Sequence, residues 1–81
     1  MHLKTYEKQL IKAFTEKTEL YQIVAPIFLT TIVDVWQAWR RGLTVTQVLE
    51  VLERQFKQKK IDFDSINNAL FKVKPKSKPK D

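Results

Sequence analysis

Residues 40–47 read RRGLTVTQ, and this stretch marks the point where one helix gives way to the next. Glycine readily adopts the left-handed backbone that ends many helices, and arginines just before it complement the negative end of the helix dipole. Two residues later, threonine followed by glutamine three positions on fits a capping box, in which the two residues satisfy each other's backbone amides. The stretch therefore predicts that one helix ends at Gly42 and another begins at Thr44.

Two helices are predicted downstream of this junction. Apolar residues at helical spacing predict that the first has a buried stripe of Val45, Val48, Leu49, Leu52 and Phe56 and turns Gln47, Glu50, Glu53, Arg54 and Lys57 to water. Either Asp62 or Asp64 can cap a second, shorter helix that extends to about Val73. Its inward positions are Phe63, Ile66, Leu70 and Val73, which leaves Asp64, Ser65, Asn67, Asn68 and Lys72 outward.

Upstream, two more helices are predicted, over about residues 5–25 and over residues 26–42, with a break in the first near residues 15–18. Pro26 suits a first helical turn and disfavours helix in the residue before it. The 26–42 helix is apolar over most of its circumference, so we expect it to be central to the fold or shared with a second subunit. The residues expected at a homodimer or partner interface are Phe28, Leu29, Ile32, Val33, Trp36 and Trp39.

Together these patterns predict one small all-α domain of three or four helices over residues 1–73. The remaining residues, 74–81, contain no apolar side chain except proline and read as a disordered, lysine-rich tail. Positive charge is concentrated late in the chain: the formal net charge is +6, residues 1–39 are neutral, and residues 72–81 alone contribute +4. A contact surface for an anionic partner is therefore expected between residues 40 and 80.

Catalysis and metal binding have little support in the 81 residues. The chain has no cysteine, one glycine and one histidine, His2, so it lacks a thiolate nucleophile, a glycine-rich phosphate loop and a clustered ligand set. The pairs Glu50/Glu53 and Asp62/Asp64 are interpreted as a solvated helix face and helix caps, and Asp34 as a paired or rim-exposed carboxylate. We expect a non-enzymatic protein without a cofactor or a metal.

Localisation is predicted from the first half of the chain. The first twenty residues lack the continuous apolar core of a secretory signal, which favours the cytoplasm. Residues 20–39 imitate a short membrane span, but Asp34 and several polar residues interrupt them, so a membrane location is not expected.

The segment from Trp36 to Lys74 resembles the helix-turn-helix of small DNA-binding proteins, in particular accessory proteins of plasmid mobilisation and related mobile-element regulators. The resemblance is carried by Arg40, Arg41, Gly42, Leu43 and Thr44, by Val48 and Leu52, and by Ile61, Phe63, Ile66 and Leu70. It covers about half the chain. The interval from Leu52 to Ile61 is about one helical turn longer than the usual pattern. The resemblance implies that the last helix is a recognition helix.

These observations favour nucleic-acid binding, with duplex DNA as the expected ligand. Ser65, Asn67, Asn68 and Lys72 would face the major groove, Thr44 and Thr46 would hold a phosphate, and lysines would contact the backbone. The full expected set is Thr44, Thr46, Lys57, Lys59, Lys60, Ser65, Asn67, Asn68, Lys72, Lys74, Lys76, Lys78 and Lys80. Two alternatives stay open: an adaptor or inhibitor of phage or plasmid type that docks on a larger protein through residues 26–39, and RNA binding through the same basic half.

Overall fold

A computed structural model describes residues 2–17 and 25–76, and these residues form five helices. They are α1 (Leu3–Lys17), α2 (Ala25–Thr31), α3 (Val35–Arg41), α4 (Val45–Lys57) and α5 (Phe63–Phe71). The prediction of a small all-α domain is confirmed. None of the helices in this described part of the chain is both long and apolar enough to cross a bilayer.

The junction between α3 and α4 forms as the sequence predicts. Gly42 has a φ of 85°, and the amide of Leu43 reaches back 3.0 Å to the carbonyl of Ala38, which ends α3 in a Schellman-type turn. In the capping box, the Gln47 side chain accepts from the Thr44 amide at 3.0 Å, and the Thr44 hydroxyl accepts from the Gln47 amide at 3.1 Å. Both caps are therefore confirmed.

The single helix predicted over residues 26–42 is wrong, because the chain breaks between α2 and α3. The hydroxyls of Thr30 and Thr31 both donate to the carbonyl of Ile27, at 3.1 and 2.6 Å, and such bonds compete with the backbone ladder at the end of α2. Asp34 then caps α3, since its carboxylate accepts from the Gln37 amide at 3.2 Å. An aspartate followed three residues later by glutamine is itself a helix-start signal.

The described part of the first predicted helix forms α1. α1 ends at Lys17, close to the break predicted near residues 15–18, and the rest of that prediction up to residue 24 lies outside the described residues. Along α1, Tyr6, Leu10 and Phe14 recur every four residues and are almost completely buried. This stripe faces α2, α3 and α4, and α5 in turn packs on α4.

The core combines a phenylalanine cluster with one long-range hydrogen bond. Phe14, Phe28 and Phe56, from α1, α2 and α4, have ring centroids 5.4 to 5.8 Å apart, within the usual range of aromatic pairs. The Tyr6 hydroxyl donates to the carbonyl of Leu43 at 2.9 Å, and burial raises the pKa of this phenol. The hydrogen bond ties α1 to the α3–α4 junction.

Arg41 attaches α5 to the rest of the domain. Its guanidinium donates to the carbonyls of Leu70, Phe71 and Val73 at 2.8 to 2.9 Å, and its central carbon lies 4.8 Å from the centroid of the Phe71 ring. These carbonyls lie at or just beyond the C-terminal end of α5, and a cation is favourable at this negative end of the helix dipole. One side chain of α3 thus holds the C-terminus of α5.

Residues 74–76, the start of the predicted tail, hydrogen-bond to the start of α4. Gln47, predicted to face water, is 6% exposed because residues 74–76 cover it. The side-chain Nε2 of Gln47 donates to the backbone carbonyl of Lys74 at 2.9 Å, and its Oε1 accepts from the backbone amide of Lys76 at 3.4 Å. The beginning of the lysine-rich segment therefore lies against the start of α4, and residues 77–81 lie outside the described part of the chain.

Candidate nucleic-acid interface

A groove between the C-terminal half of α4 and α5 brings together four of the residues predicted to bind nucleic acid, namely Lys60, Ser65, Asn68 and Lys72. We call it the α4–α5 groove. Its volume is about 390 Å³, and its lining residues are Arg54, Gln55, Gln58, Lys60, Ser65, Asn68, Ala69, Lys72 and Val73. Three of these are cations with exposed side chains, and among the described residues no carboxylate lines the groove. The groove is therefore a positively charged concave surface.

The adjacent asparagines of α5, predicted to act together, have different surroundings. Asn68 is exposed at the α4–α5 groove. Asn67 points the other way: its carbonyl accepts from the Asp34 amide at 2.8 Å, and its amide donates to the carbonyls of Ile32 and Phe63 at 2.8 and 2.7 Å. The prediction that Asn67 faces outward is wrong, because the α2–α3 turn needs hydrogen-bond partners and this amide supplies them.

Ser65 is at the groove but is also part of the start of α5. Asp62 is the helix cap: its carboxylate accepts from the Ser65 amide at 3.1 Å and from the Ser65 hydroxyl at 2.7 Å. These hydrogen bonds, the side-chain one first, lower the pKa of Asp62. Since the hydroxyl proton is engaged, Ser65 offers the groove an acceptor rather than a donor.

The other predicted lysines extend the basic surface beyond the groove. Lys57 and Lys59 are exposed around the end of α4, next to Lys60. Lys59 has a φ of 58°, in the left-handed region that favours glycine, and the amide of Lys60 reaches back 2.9 Å to the carbonyl of Gln55. A lysine thus occupies a helix-ending position where glycine would be less strained.

Thr44 and Thr46, which were predicted to hold a phosphate, lie at the N-terminal end of α4, away from the α4–α5 groove. Thr46 is exposed there, whereas the Thr44 hydroxyl is occupied by the capping box. The backbone of Lys74 and Lys76 hydrogen-bonds to the Gln47 side chain at this same end of α4. Lys78 and Lys80 lie outside the described residues.

The six residues predicted at a dimer or partner interface mostly belong to the core of the chain itself. Leu29 and Val33 are 0% and 4% exposed, and Phe28, Ile32 and Trp39 are half-buried against the same core. Leu29 and Val33 therefore present almost no surface outside the core of the chain. Trp36, at 45% exposed, is the member of the set that stands at the surface.

Trp36 borders a second, more apolar depression. This Trp36–Phe63 groove has a volume of about 410 Å³ and is lined by Leu3, Glu7, Leu29, Thr30, Thr31, Val33, Asp34, Val35, Trp36 and Phe63. Phe63 was predicted to point inward but is 48% exposed, because Ile66 and Leu70 fill the α5 contact with the core. The Arg40 guanidinium lies 5.1 Å from the Trp36 ring centroid, in the range of a cation–π contact.

Sequence reasoning missed three residues of the α4–α5 groove, namely Arg54, Gln55 and Gln58. Arg54 was expected to face water without a role, and the two glutamines were not singled out. A signal was present, since Arg54 and Gln58 are four residues apart on α4, as Asn68 and Lys72 are on α5. The Arg54/Gln58 pair and the Asn68/Lys72 pair can line one groove only if these faces of α4 and α5 pack next to each other. The tertiary structure decides that packing.

Comparisons of the chain with protein-family models, with curated proteins and with solved structures gave no match. Within residues 2–17 and 25–76, no three histidine, cysteine, aspartate or glutamate side chains lie close enough together to hold a metal ion. The function is therefore inferred from the side chains of the two grooves.

Proposed function

We propose that this protein binds nucleic acid, with duplex DNA as its ligand, through the α4–α5 groove and the lysine-rich segment. The observation that carries the proposal is the convergence of Arg54, Lys60 and Lys72 in one groove together with Asn68. These four residues come from two helices and the turn between them. Arginine and lysine side chains bind the phosphates of nucleic acids, and asparagine side chains hydrogen-bond to base edges.

The lysine-rich segment extends this surface. The Gln47 side chain hydrogen-bonds to the backbone of Lys74 and Lys76 at the start of α4. These hydrogen bonds fix where the two exposed lysines lie on the domain. Lysines placed this way neutralise phosphates without reading sequence, and they displace condensed counterions from DNA. The segment is thus proposed to supply affinity, while α5 supplies orientation on the duplex.

The strained backbone at the α4–α5 turn also supports the proposal. A non-glycine residue at positive φ costs stability, and such positions are common at functional sites. Lys59 occupies this position with an exposed side chain beside the groove. A cation retained where glycine would be more stable is consistent with a role for its charge.

The test is fluorescence anisotropy of a labelled duplex titrated with protein over a series of salt concentrations. The groove variant replaces Arg54, Lys60 and Lys72 by glutamine. The matched control replaces the exposed α1 residues Lys4, Lys8 and Lys12 by glutamine, so both variants lower the formal net charge from +6 to +3.

We expect the groove variant to lose roughly tenfold to hundredfold in affinity and to reduce the slope of log K against log salt by about 2 to 3, because each lost phosphate contact lowers the slope by about 0.9. The α1 control should change affinity by less than about threefold. No measurable binding at about 50 mM salt, or equal losses in both variants, would refute the proposal. Competition by structured RNA that exceeds competition by duplex DNA would assign the same surface to RNA.

A second candidate function, docking on another protein, is favoured by the Trp36–Phe63 groove. Trp36 and Phe63 are exposed aromatic side chains of this groove, and Glu7 and Asp34 add negative charge to its lining. This chemistry suits an apolar partner helix with basic flanking residues. In this case Trp36→Ser would abolish partner binding and the triple glutamine variant of the α4–α5 groove would not, which is the reverse of the DNA-binding expectation.

A further inference from the structure

Two buried polar side chains of the described residues differ in how their hydrogen-bonding groups are satisfied. Gln47 and Gln55 are 6% and 8% exposed. Gln47 uses both ends of its amide, as described above. By contrast, the side-chain oxygen Oε1 of Gln55 is buried and has no hydrogen-bond donor among the described residues. A buried acceptor without a donor destabilises a fold, so its presence calls for an explanation beyond folding.

The place of Gln55 suggests a ligand with two kinds of group. It is the one buried side chain among the residues that line the α4–α5 groove, which also include the cations Arg54, Lys60 and Lys72. The cations suit a phosphate, but Oε1 does not, because phosphate oxygens and an amide oxygen are both acceptors. A ligand that satisfies the whole groove therefore carries an anion and an N–H donor, as a nucleotide does.

The depth of Gln55 further restricts the ligand. In a duplex, base edges lie at the bottom of the DNA grooves and are read by protein elements that protrude into them. Gln55 is instead recessed in a concave protein surface, which a paired base cannot enter. The groove volume of about 390 Å³ lies within the range of small-ligand sites. The terminal torsion of a glutamine is broad, so Oε1 can turn toward the groove at little cost.

We propose that the α4–α5 groove accepts a single unpaired nucleobase, whose N–H donor bonds to Oε1 of Gln55 while the basic side chains hold the adjoining phosphate. This inference rests on the proposed nucleic-acid function and names the part of the ligand that the groove recognises. It assigns to Gln55 the direct contact with the base. Arg54, Lys60 and Lys72 make the contacts that are independent of the base.

The experiment compares three labelled DNA probes by anisotropy: a fully paired duplex, the same duplex with one central bulged adenine, and the same duplex with a bulged purine that lacks the N6 amino group. The two bulges differ in one donor. Gln55→Met removes the acceptor and keeps the side-chain shape, and Gln58→Met is the matched control on an exposed glutamine of the same groove.

We expect the unaltered protein to bind the adenine bulge roughly tenfold more tightly than the purine bulge, the ratio typical of a good contact to a base. Gln55→Met should bind both bulges equally, keep its affinity for the paired duplex, and unfold at the same or a higher temperature because it loses an unsatisfied polar atom. Gln58→Met should keep the preference for adenine.

Equal affinity of the unaltered protein for the two bulges would overturn the inference, as would a Gln55→Met protein that keeps the preference. A Gln55→Met protein that keeps the preference and unfolds at a lower temperature would assign the amide to the fold. Binding of the paired duplex without discrimination between bulges would refute the base contact and leave the proposed function standing. Loss of all binding to the three probes would refute both.

Discussion

Replacement of Arg41 by alanine should destabilise the domain more than any other loss of a surface charge. Its guanidinium makes three hydrogen bonds to carbonyls at and just beyond the end of α5 and contacts the Phe71 ring. At about 1 kcal/mol for each hydrogen bond at this partly exposed site, the loss is about 3 kcal/mol. A domain of this size has a free energy of unfolding of roughly 4 to 12 kcal/mol, so Arg41→Ala removes a large part of it.

The assay is thermal unfolding followed by far-ultraviolet circular dichroism, with urea titration as a second measure. A loss of about 3 kcal/mol lowers the Tm of a small domain by roughly 12 to 24 °C. Arg41→Lys should recover only about 1 kcal/mol, because an ammonium group cannot reach three carbonyls as a planar fork does.

Arg40→Ala is the control for charge. Arg40 precedes Arg41, its replacement removes the same charge, and its guanidinium lies over the exposed ring of Trp36. It should cost less than about 1 kcal/mol. Equal shifts in Tm for the Arg40 and Arg41 variants, or an Arg41→Lys protein that unfolds at the original temperature, would refute the role of Arg41 as the anchor of α5.

Three further outcomes can be measured on the same protein. Asn67→Ala should lower the free energy of unfolding by about 2 kcal/mol and Asn68→Ala by less than about 0.5, whereas only Asn68→Ala should weaken binding without weakening the fold; equal stability losses in urea titrations would contradict this division. Lys59→Gly should stabilise the domain by about 1 kcal/mol by relieving the positive φ, and should reduce the salt slope of DNA binding; a lower Tm would count against strain at this turn. Because the folded-state pKa of Asp62 is lowered, its stabilising effect is present above the unfolded pKa of about 4 and is lost as the pH falls through the folded value. Asp62→Asn should therefore lose less stability than the original protein on acidification in this range, and identical pH profiles of Tm would exclude the effect.

Local signals in the sequence predicted the parts of the fold that depend on neighbouring residues. Gly42 and the capping box from Thr44 to Gln47 need only backbone geometry and one side chain within a few positions. The cap of α5 was narrowed to Asp62 or Asp64, and the structure shows Asp62. Apolar spacing also predicted the buried positions of Val48, Leu49 and Leu52 in α4, but it missed the burial of Val51 and Gln47. The break at Asp34 was also signalled locally, by the threonines before it and Gln37 after it, but the strong apolar periodicity of the segment suggested an uninterrupted helix.

Residues whose role depends on a distant element could not be predicted. Asn67 and Asn68 are adjacent and chemically identical, yet the first holds the α2–α3 turn and the second lines the α4–α5 groove. Gln47 and Gln55 are both buried glutamines of α4, and residues 74–76 satisfy only the first. Helical periodicity assigns a side chain to a face but not to the partner which that face meets.

The sequence by itself determined that this protein is all-α, where its clearest helix caps lie, and that its positive charge belongs to the second half of the chain. Those properties follow from composition, spacing and short-range hydrogen bonding. Only the tertiary structure decided that Arg54, Gln55, Lys60 and Lys72 share a groove and that Leu29 and Val33 belong to the core of one chain. The reason is that burial and the convergence of charges depend on which helix faces pack together, and residues far apart in the chain settle that packing.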